Sequence, residues 1–119
     1  MTRPMKWQKL GMVFCPSGET DWMFSHASVP IAESMGDDRY KIYFSTRDKL
    51  NRSSTGYVVI DIGRPNEIID LSTKPVLSPG NIGEFDDSGA MATWLAERDE
   101  KRYLTQVATY DHHQNPSKR

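Results

Sequence analysis

The stretch that decides the fold is Arg39–Thr46, which reads RYKIYFST. On one side of an extended chain it places the apolar or aromatic residues Tyr40, Ile42 and Phe44. The opposite side receives Lys41, Tyr43 and Ser45. This period of two is typical of a β-strand with one face on a core. We therefore predict a strand here and interpret the neighbouring sequence as its partners.

Glycine and proline recur at short intervals on both sides of this strand, and the runs between them have strand length. We predict strands at Trp7–Phe14 and Ser25–Glu33 before it, and at Gly56–Ile62 and Glu67–Leu71 after it. The turn residues between these runs are short clusters such as Gly36-Asp37-Asp38. Consecutive strands joined by short turns predict an antiparallel meander.

The segment from Phe85 to Leu104 fits either a helix or a hairpin. Met91, Trp94 and Leu95 have helical spacing, and the preceding Asp-Ser pair would serve as a helix cap. An internal comparison favours the hairpin, because Phe24 and Phe85 are 61 positions apart and both begin similar runs. Each run passes through an acidic turn to a basic and aromatic strand. A repeat of about sixty residues, each a four-stranded meander, is the organisation of a propeller blade.

Composition narrows the classes of partner. The 119 residues carry a net charge of -1 with acidic and basic residues interspersed, so we expect no nucleic-acid partner. No apolar stretch approaches the ~20 residues that span a bilayer, so we expect a cytoplasmic protein without a membrane partner. The lone Cys15 excludes an internal disulfide, and its apolar surroundings predict a buried, inert thiol.

One polar cluster, Asp86-Asp87-Ser88, stands where the second repeat begins, and His26 stands near the start of the first. The inner strand of a propeller blade lines the central channel, so residues at its start are exposed to a ligand. Two adjacent carboxylates repel each other, which favours a raised pKa and suits a general acid. The alternative is that the acidic cluster is simply a turn or a cap.

The second polar cluster comprises Arg47-Asp48 and Asn51-Arg52. Such side chains can form paired hydrogen bonds with sugar hydroxyls, carboxylates or phosphates. The alternative is a solvated loop with a surface ion pair. Trp22 and other aromatic residues could stack on sugars, although a core position is the commoner role. We expect neither a metal nor another cofactor, since the adjacent His112-His113 is a poor metal site.

In this order, the clusters resemble the opening blades of the five-bladed β-propeller superfamily that contains arabinanases, fructosidases and mannoside phosphorylases. The resemblance runs from Trp7 to Val107, and its most specific part is Arg47 to Ser53 followed by Gly56. It implies an all-β fold in which antiparallel four-stranded meanders form the blades of an incomplete propeller. Residues 1–110 would supply about one complete and one partial blade, and residues 111–119 a polar tail.

The resemblance also implies roles for individual residues. Asp87 matches a catalytic aspartate that an acidic residue precedes on the inner strand of the second blade. Arg47, Asp48 and Arg52 match positions that contact sugar. We expect the substrate-binding set to be His26, Arg47, Asp48, Asn51, Arg52, Asp86 and Ser88.

Two departures from the family pattern concern the catalytic residues. His26 stands where the arabinanase-like branch has an aspartate base, and the acid of the third blade would lie beyond residue 119. A glycosidase needs two carboxyl groups that flank the bond to be cleaved. We therefore expect a glycoside hydrolase-like or phosphorylase-like fragment that acts on or binds a glycan and is catalytically incomplete alone. The alternatives are a non-catalytic carbohydrate-binding or assembly module and a truncated remnant, and open blade faces predict self-association.

Overall fold

The computed structural model describes residues 4–109, which form six β-strands and no helix. This part of the chain thus holds no helix that is both long and apolar enough to cross a bilayer. The tail at residues 111–119 lies outside the described residues. The strands are β1 Ser25–Gly36, β2 Arg39–Arg47, β3 Ser53–Asp61, β4 Arg64–Leu71, β5 Gly89–Arg98 and β6 Lys101–Thr109.

The first four strands form the predicted antiparallel meander, in which β2 pairs with both β1 and β3, and β3 also pairs with β4. The β2–β3 ladder is regular over nine residue pairs, from Arg39 opposite Asp61 to Arg47 opposite Ser53. β1 is irregular, with register shifts near both ends. The alternation of Arg39–Thr46 therefore predicted the central strand of this meander correctly.

The core lies on one face of the meander, where Met23, Phe44, Val58 and Ile60 are buried together. Trp22 covers the same face and lies over Gly56, because a Cβ atom on that glycine would approach the indole Cη2 to 2.9 Å. The missing side chain at residue 56 is thus what lets the indole approach the sheet.

The prediction of a strand at Trp7–Phe14 is wrong, because these residues have no ladder partner within residues 4–109. Val13 and Phe14 instead pack against the core as side chains, whereas Trp7 is 92% exposed. The expected burial of Cys15 is also wrong, because its side chain is exposed. The chain leaves the core directly after Phe14, so the side chain of Cys15 does not pack with the apolar residues that precede it.

The hairpin prediction for the second repeat is confirmed, since β5 and β6 pair antiparallel from Gly89 to Arg98. Asp99 and Glu100 close the hairpin with φ angles of 52° and 64°. Asp37 and Asp38 close the β1–β2 hairpin with the same two values. Two residues with positive φ are what a tight hairpin turn of type I′ requires. The two acidic turns that the internal comparison aligned therefore have the same backbone conformation.

The hairpin joins the meander through few but buried contacts. β3 and β5 run parallel and form one residue pair, Ser53 opposite Gly89. Just beyond it, the Thr55 hydroxyl donates to the Ala90 carbonyl at 3.2 Å and accepts from the Ala92 amide at 3.0 Å. The result is one open sheet in the order β1-β2-β3-β5-β6, with β4 also beside β3.

We expect Thr55→Val to loosen this joint. Valine keeps the branched shape but neither donates nor accepts, so the Ala90 carbonyl and the Ala92 amide, both buried, lose a partner. The free energy of unfolding should fall by about 1–3 kcal/mol, measured by urea denaturation. The matched control is Thr93→Val, whose hydroxyl bonds are exposed and should cost less. Equal stability of the two variants would show that the hydroxyl does not secure the hairpin.

Candidate functional site

The ends of five strands meet along one side of the sheet. A continuous row of paired residues crosses this end, from Ser25 through Arg47, Ser53 and Gly89 to Thr109. All three groups of predicted site residues directly adjoin this row. They are His26 on β1, Arg47 to Arg52 between β2 and β3, and Asp86 to Ser88 before β5.

Asp48 organises the loop between β2 and β3. Its Oδ1 accepts hydrogen bonds from the amides of Leu50 at 2.9 Å and Arg52 at 2.8 Å. Its Oδ2 accepts from Arg52 Nε at 2.9 Å, which makes an ion pair with an aspartate side chain only 11% exposed. Both carboxylate oxygens therefore hold the loop, so Asp48 acts as a positioning residue in this geometry.

The two arginines of this loop are held while part of each guanidinium is left for other contacts. Arg47 donates from Nη1 to Asn51 Oδ1 at 3.0 Å. Arg52 uses only Nε in its contacts with described residues. Asn51 has a φ of 63°, a conformation that asparagine tolerates better than most residues. The loop thus presents two preorganised cationic groups at the end of the sheet.

An open cleft of about 300 Å3 adjoins this loop. Trp22 forms part of its wall, and its indole nitrogen donates to the Thr73 carbonyl at 3.2 Å. Lys49 pairs with Asp21 at 3.0 Å on the exposed rim. No pattern in the sequence indicated the contact between Lys49 and Asp21. The residues lining the cleft are Asp21, Trp22, Asp48, Lys49, Leu50 and Arg52.

Asp87 is fully buried at the end of a tight loop. Its Oδ2 accepts from the Gly83 amide at 3.0 Å, and its Oδ1 accepts from the Ser88 hydroxyl at 3.1 Å. β5 begins only at Gly89, so the expectation that the two aspartates lie on a strand is wrong. The loop folds back because its amides bond to carbonyls within the segment, including Gly89 to Asp86. Asp87 therefore stabilises a turn in this structure.

Asp86 differs from its neighbour, since it is half-buried and its Oδ1 has no hydrogen-bond donor in the described part of the chain. Glu84 lies close by, because a Cβ atom on Gly80 would collide with carboxylate oxygens of both Glu84 and Asp86. Sequence reasoning missed Glu84, although it stands only two positions before Asp86. Within residues 4–109, no group of three histidine, cysteine or acidic side chains is arranged to hold a metal ion.

His26 lies exposed at the start of β1, with its Nδ1 atom 2.8 Å from the Ser25 hydroxyl. Its φ of 64° interrupts the strand and accompanies the register shift beside Ser25. The backbone is held there by Thr46, whose buried hydroxyl donates to the Ser25 carbonyl at 2.8 Å. His26 is thus at the same end of the sheet as the loop at residues 47–52, here called the arginine loop, and its side chain is accessible to solvent.

The structure brings the site residues to one end of the sheet but leaves them as separate clusters. Arg47 and Arg52 form no ion pair with Asp86 among the described residues. The two loops are nevertheless attached to neighbouring positions of the sheet. Ser53 directly follows the arginine loop, and Gly89 directly follows the loop at residues 83–88, here called the acidic loop. Ser53 and Gly89 pair with each other.

Comparison with known proteins gives two related sequences. One is the uncharacterized protein Rv1502 of Mycobacterium tuberculosis (strain ATCC 25618 / H37Rv), and the other is the uncharacterized protein MT1551 of strain CDC 1551 / Oshkosh. Each is 44% identical over 100 residues, which are 84% of this chain and 33% of the relative. The chain thus spans about a third of the length of the curated relatives it matches. No family model and no solved structure matches the chain.

We expect Asp48→Ala to disorder the arginine loop. The substitution removes the acceptor of three hydrogen bonds and the partner of Arg52, so the free energy of unfolding should fall by about 1–3 kcal/mol. Asp21→Ala is the control, because it removes an exposed ion pair worth at most about 1 kcal/mol. Chemical denaturation measures both. An Asp48→Ala variant as stable as Asp21→Ala would contradict the organising role.

Proposed function

We propose that the chain is the N-terminal part of a carbohydrate-active β-propeller resembling the five-bladed glycoside hydrolases, and that it acts on or binds a glycan. In this proposal, residues 1–110 correspond to one blade, β1–β4, and the first half of a second, β5–β6. The protein would be cytoplasmic, and its assembled form would cleave glycosyl bonds by hydrolysis or phosphorolysis.

One observation carries the proposal: three polar clusters, distant in sequence, adjoin a single row of paired residues at one end of the sheet. Ligand sites are generally built in this way, from loops held on a rigid scaffold. The nearby indole of Trp22 adds an apolar surface of the kind that stacks on sugar rings.

The proposed roles follow the geometry of each residue. Arg47 and Arg52 would donate paired hydrogen bonds to sugar hydroxyls or to an anionic group of the substrate. Asn51 and Asp48 hold those arginines. His26 would hydrogen-bond the glycan from β1.

The proposed catalytic residue remains Asp87, with Asp86 and Ser88 beside the substrate. Asp87 is fully buried and accepts hydrogen bonds within its own loop, so it could reach a glycosidic oxygen only if residues 83–88 rearranged.

The burial of Asp87 also favours a second candidate function, a non-catalytic carbohydrate-binding or assembly module. In such a protein the acidic loop would be purely structural, and the arginine loop with Trp22 would bind the glycan alone. Substitutions made separately in the acidic loop and in the arginine loop distinguish the catalytic function from the non-catalytic one.

We expect Arg47→Ala to weaken oligosaccharide binding by roughly 10- to 100-fold, since a charge-assisted hydrogen bond is worth about 1.5–3 kcal/mol. Arg64→Ala is the control: its guanidinium forms an exposed ion pair with Glu67 and lies opposite Asp61, at the other end of β3 from the cleft, so its loss should change affinity by less than about threefold. Titration calorimetry with candidate oligosaccharides measures both. Equal effects of the two substitutions would remove Arg47 from the binding site.

We expect substitution of the aspartate equivalent to Asp87 by asparagine, in a full-length relative, to lower turnover by roughly 10²–10⁴-fold with little change in affinity. An asparagine oxygen can still accept the Gly83 amide, so the loop should survive. The same change at the position equivalent to Asp86 should do less. Normal turnover, or loss of folding, in the first variant would favour the non-catalytic function.

A further inference from the structure

Arg47 lies on the face of the meander opposite the core. Phe44 is buried in the core, and the alternation of β2 places the side chain of Arg47, three positions later, on the other face. Ser25 on β1 and Ser53 on β3 are directly paired with Arg47. Because directly paired residues share a face, the two serine hydroxyls flank the arginine side chain. These three residues are here called the Arg47 row.

Arg47 is held in position by an uncharged partner. Its Nη1 atom donates to Asn51 Oδ1 at 3.0 Å, and its backbone carbonyl accepts from the Phe24 amide at 2.9 Å. The other cations of the arginine loop, Lys49 and Arg52, are paired with aspartates. An amide oxygen orients a guanidinium without cancelling its charge. Within residues 4–109, Arg47 is thus the cation of this loop whose charge is not neutralised.

The contact with Asn51 leaves one edge of the guanidinium for a ligand. The contacts that the structure describes for residues 4–109 use neither Nε nor Nη2 of Arg47. These two N–H donors are parallel and match two oxygens of one carboxylate or phosphate group. Arg47 is half-buried, and partial exclusion of water strengthens a hydrogen bond between charged groups.

The groups around this edge are suited to a negatively charged acceptor. A guanidinium only donates hydrogen bonds, and the hydroxyls of Ser25 and Ser53 are able to donate. The imidazole of His26 adjoins the row, with its Nδ1 atom 2.8 Å from the Ser25 hydroxyl. A sugar hydroxyl both donates and accepts, whereas an oxyanion needs donors alone. The Arg47 row therefore favours an oxyanion over a neutral hydroxyl group.

We propose that the Arg47 row is an oxyanion-binding site that takes a carboxylate or phosphate group. The inference rests on the proposed function, since it names the charged group that the chain would recognise in its substrate. Arg47 donates from Nε and Nη2 to two oxygens of this group, and Ser25 and Ser53 donate to it from either side. An acidic sugar and inorganic phosphate both present such a group, and titration with each distinguishes them.

NMR titration of the full chain at constant ionic strength tests the proposal, because the Nε–H signal of each arginine reports on its guanidinium. The probes are glucuronate, inorganic phosphate and, as the neutral match of glucuronate, glucose. We expect the Arg47 signal to shift and saturate with glucuronate, with phosphate or with both, and to stay unchanged with glucose. The signal of Arg64, which is paired with Glu67 at the other end of β3, should not move. An equal response to glucose, or no response to either anion, would overturn the proposal.

Substitution of Arg47 measures the contribution of its charge and its paired donors. Arg47→Gln should raise the dissociation constant of the bound anion at least about tenfold. Arg64→Gln removes the same charge from the exposed ion pair and should change it less than about twofold. Equal effects of the two substitutions would show that only net charge attracts the anion. If Arg47→Gln fails to fold, Ser53→Ala decides the case, since it leaves Arg47 in place and should weaken binding about threefold.

The oxyanion site and the glycan function can fail separately. Saturable binding of an anion at Arg47, in a chain that binds no oligosaccharide, would contradict the proposed function and leave the oxyanion site standing. Binding of neutral oligosaccharides, with anions that leave the Arg47 signal unmoved, would overturn the oxyanion site alone.

Discussion

The arrangement of the two β-units depends on the buried hydroxyl of Thr55, which strengthens the short joint at Ser53 and Gly89. Thr55 is fully buried, its backbone pairs with Leu77, and its side chain holds both Ala90 and Ala92. A buried polar atom is stabilising only when its hydrogen bonds are made. Here the Thr55 hydroxyl on β3 makes its hydrogen bonds with two residues of β5. The orientation of the hairpin on the meander is set by this joint.

The joint also decides where the polar loops lie. Because Thr55 brings the start of β5 beside the start of β3, the loops that precede these strands share one end of the sheet. Close approach there requires Gly89, since a Cβ atom would lie 3.2 Å from Ser53 and closer still to Thr109. The arginine loop and the acidic loop are therefore neighbours through backbone geometry, with no ion pair between Asp86 and either arginine.

The two loops differ in how their charges are used. Asp48 accepts three hydrogen bonds within its own loop and leaves guanidinium donors of Arg52 available beside Trp22. Asp87 gives both oxygens to its own loop and its neighbouring serine, whereas Asp86 keeps a buried oxygen without a donor in residues 4–109. The described contacts therefore leave donors exposed on the arginine loop, whereas Asp87 is buried.

Local sequence determined the strands whose pattern is complete within a few residues. The alternation of Arg39–Thr46 specified a strand, and Gly36-Asp37-Asp38 specified a hairpin turn, because period and turn chemistry are local properties. The β5–β6 hairpin was predicted from the internal repeat, since its local pattern also fitted a helix. Only the tertiary structure decided that Trp7–Phe14 has no partner strand, that Cys15 is exposed and that Asp87 is buried. Each of those outcomes depends on contacts with residues that are distant in the sequence, and the residues next to each position do not predict those contacts.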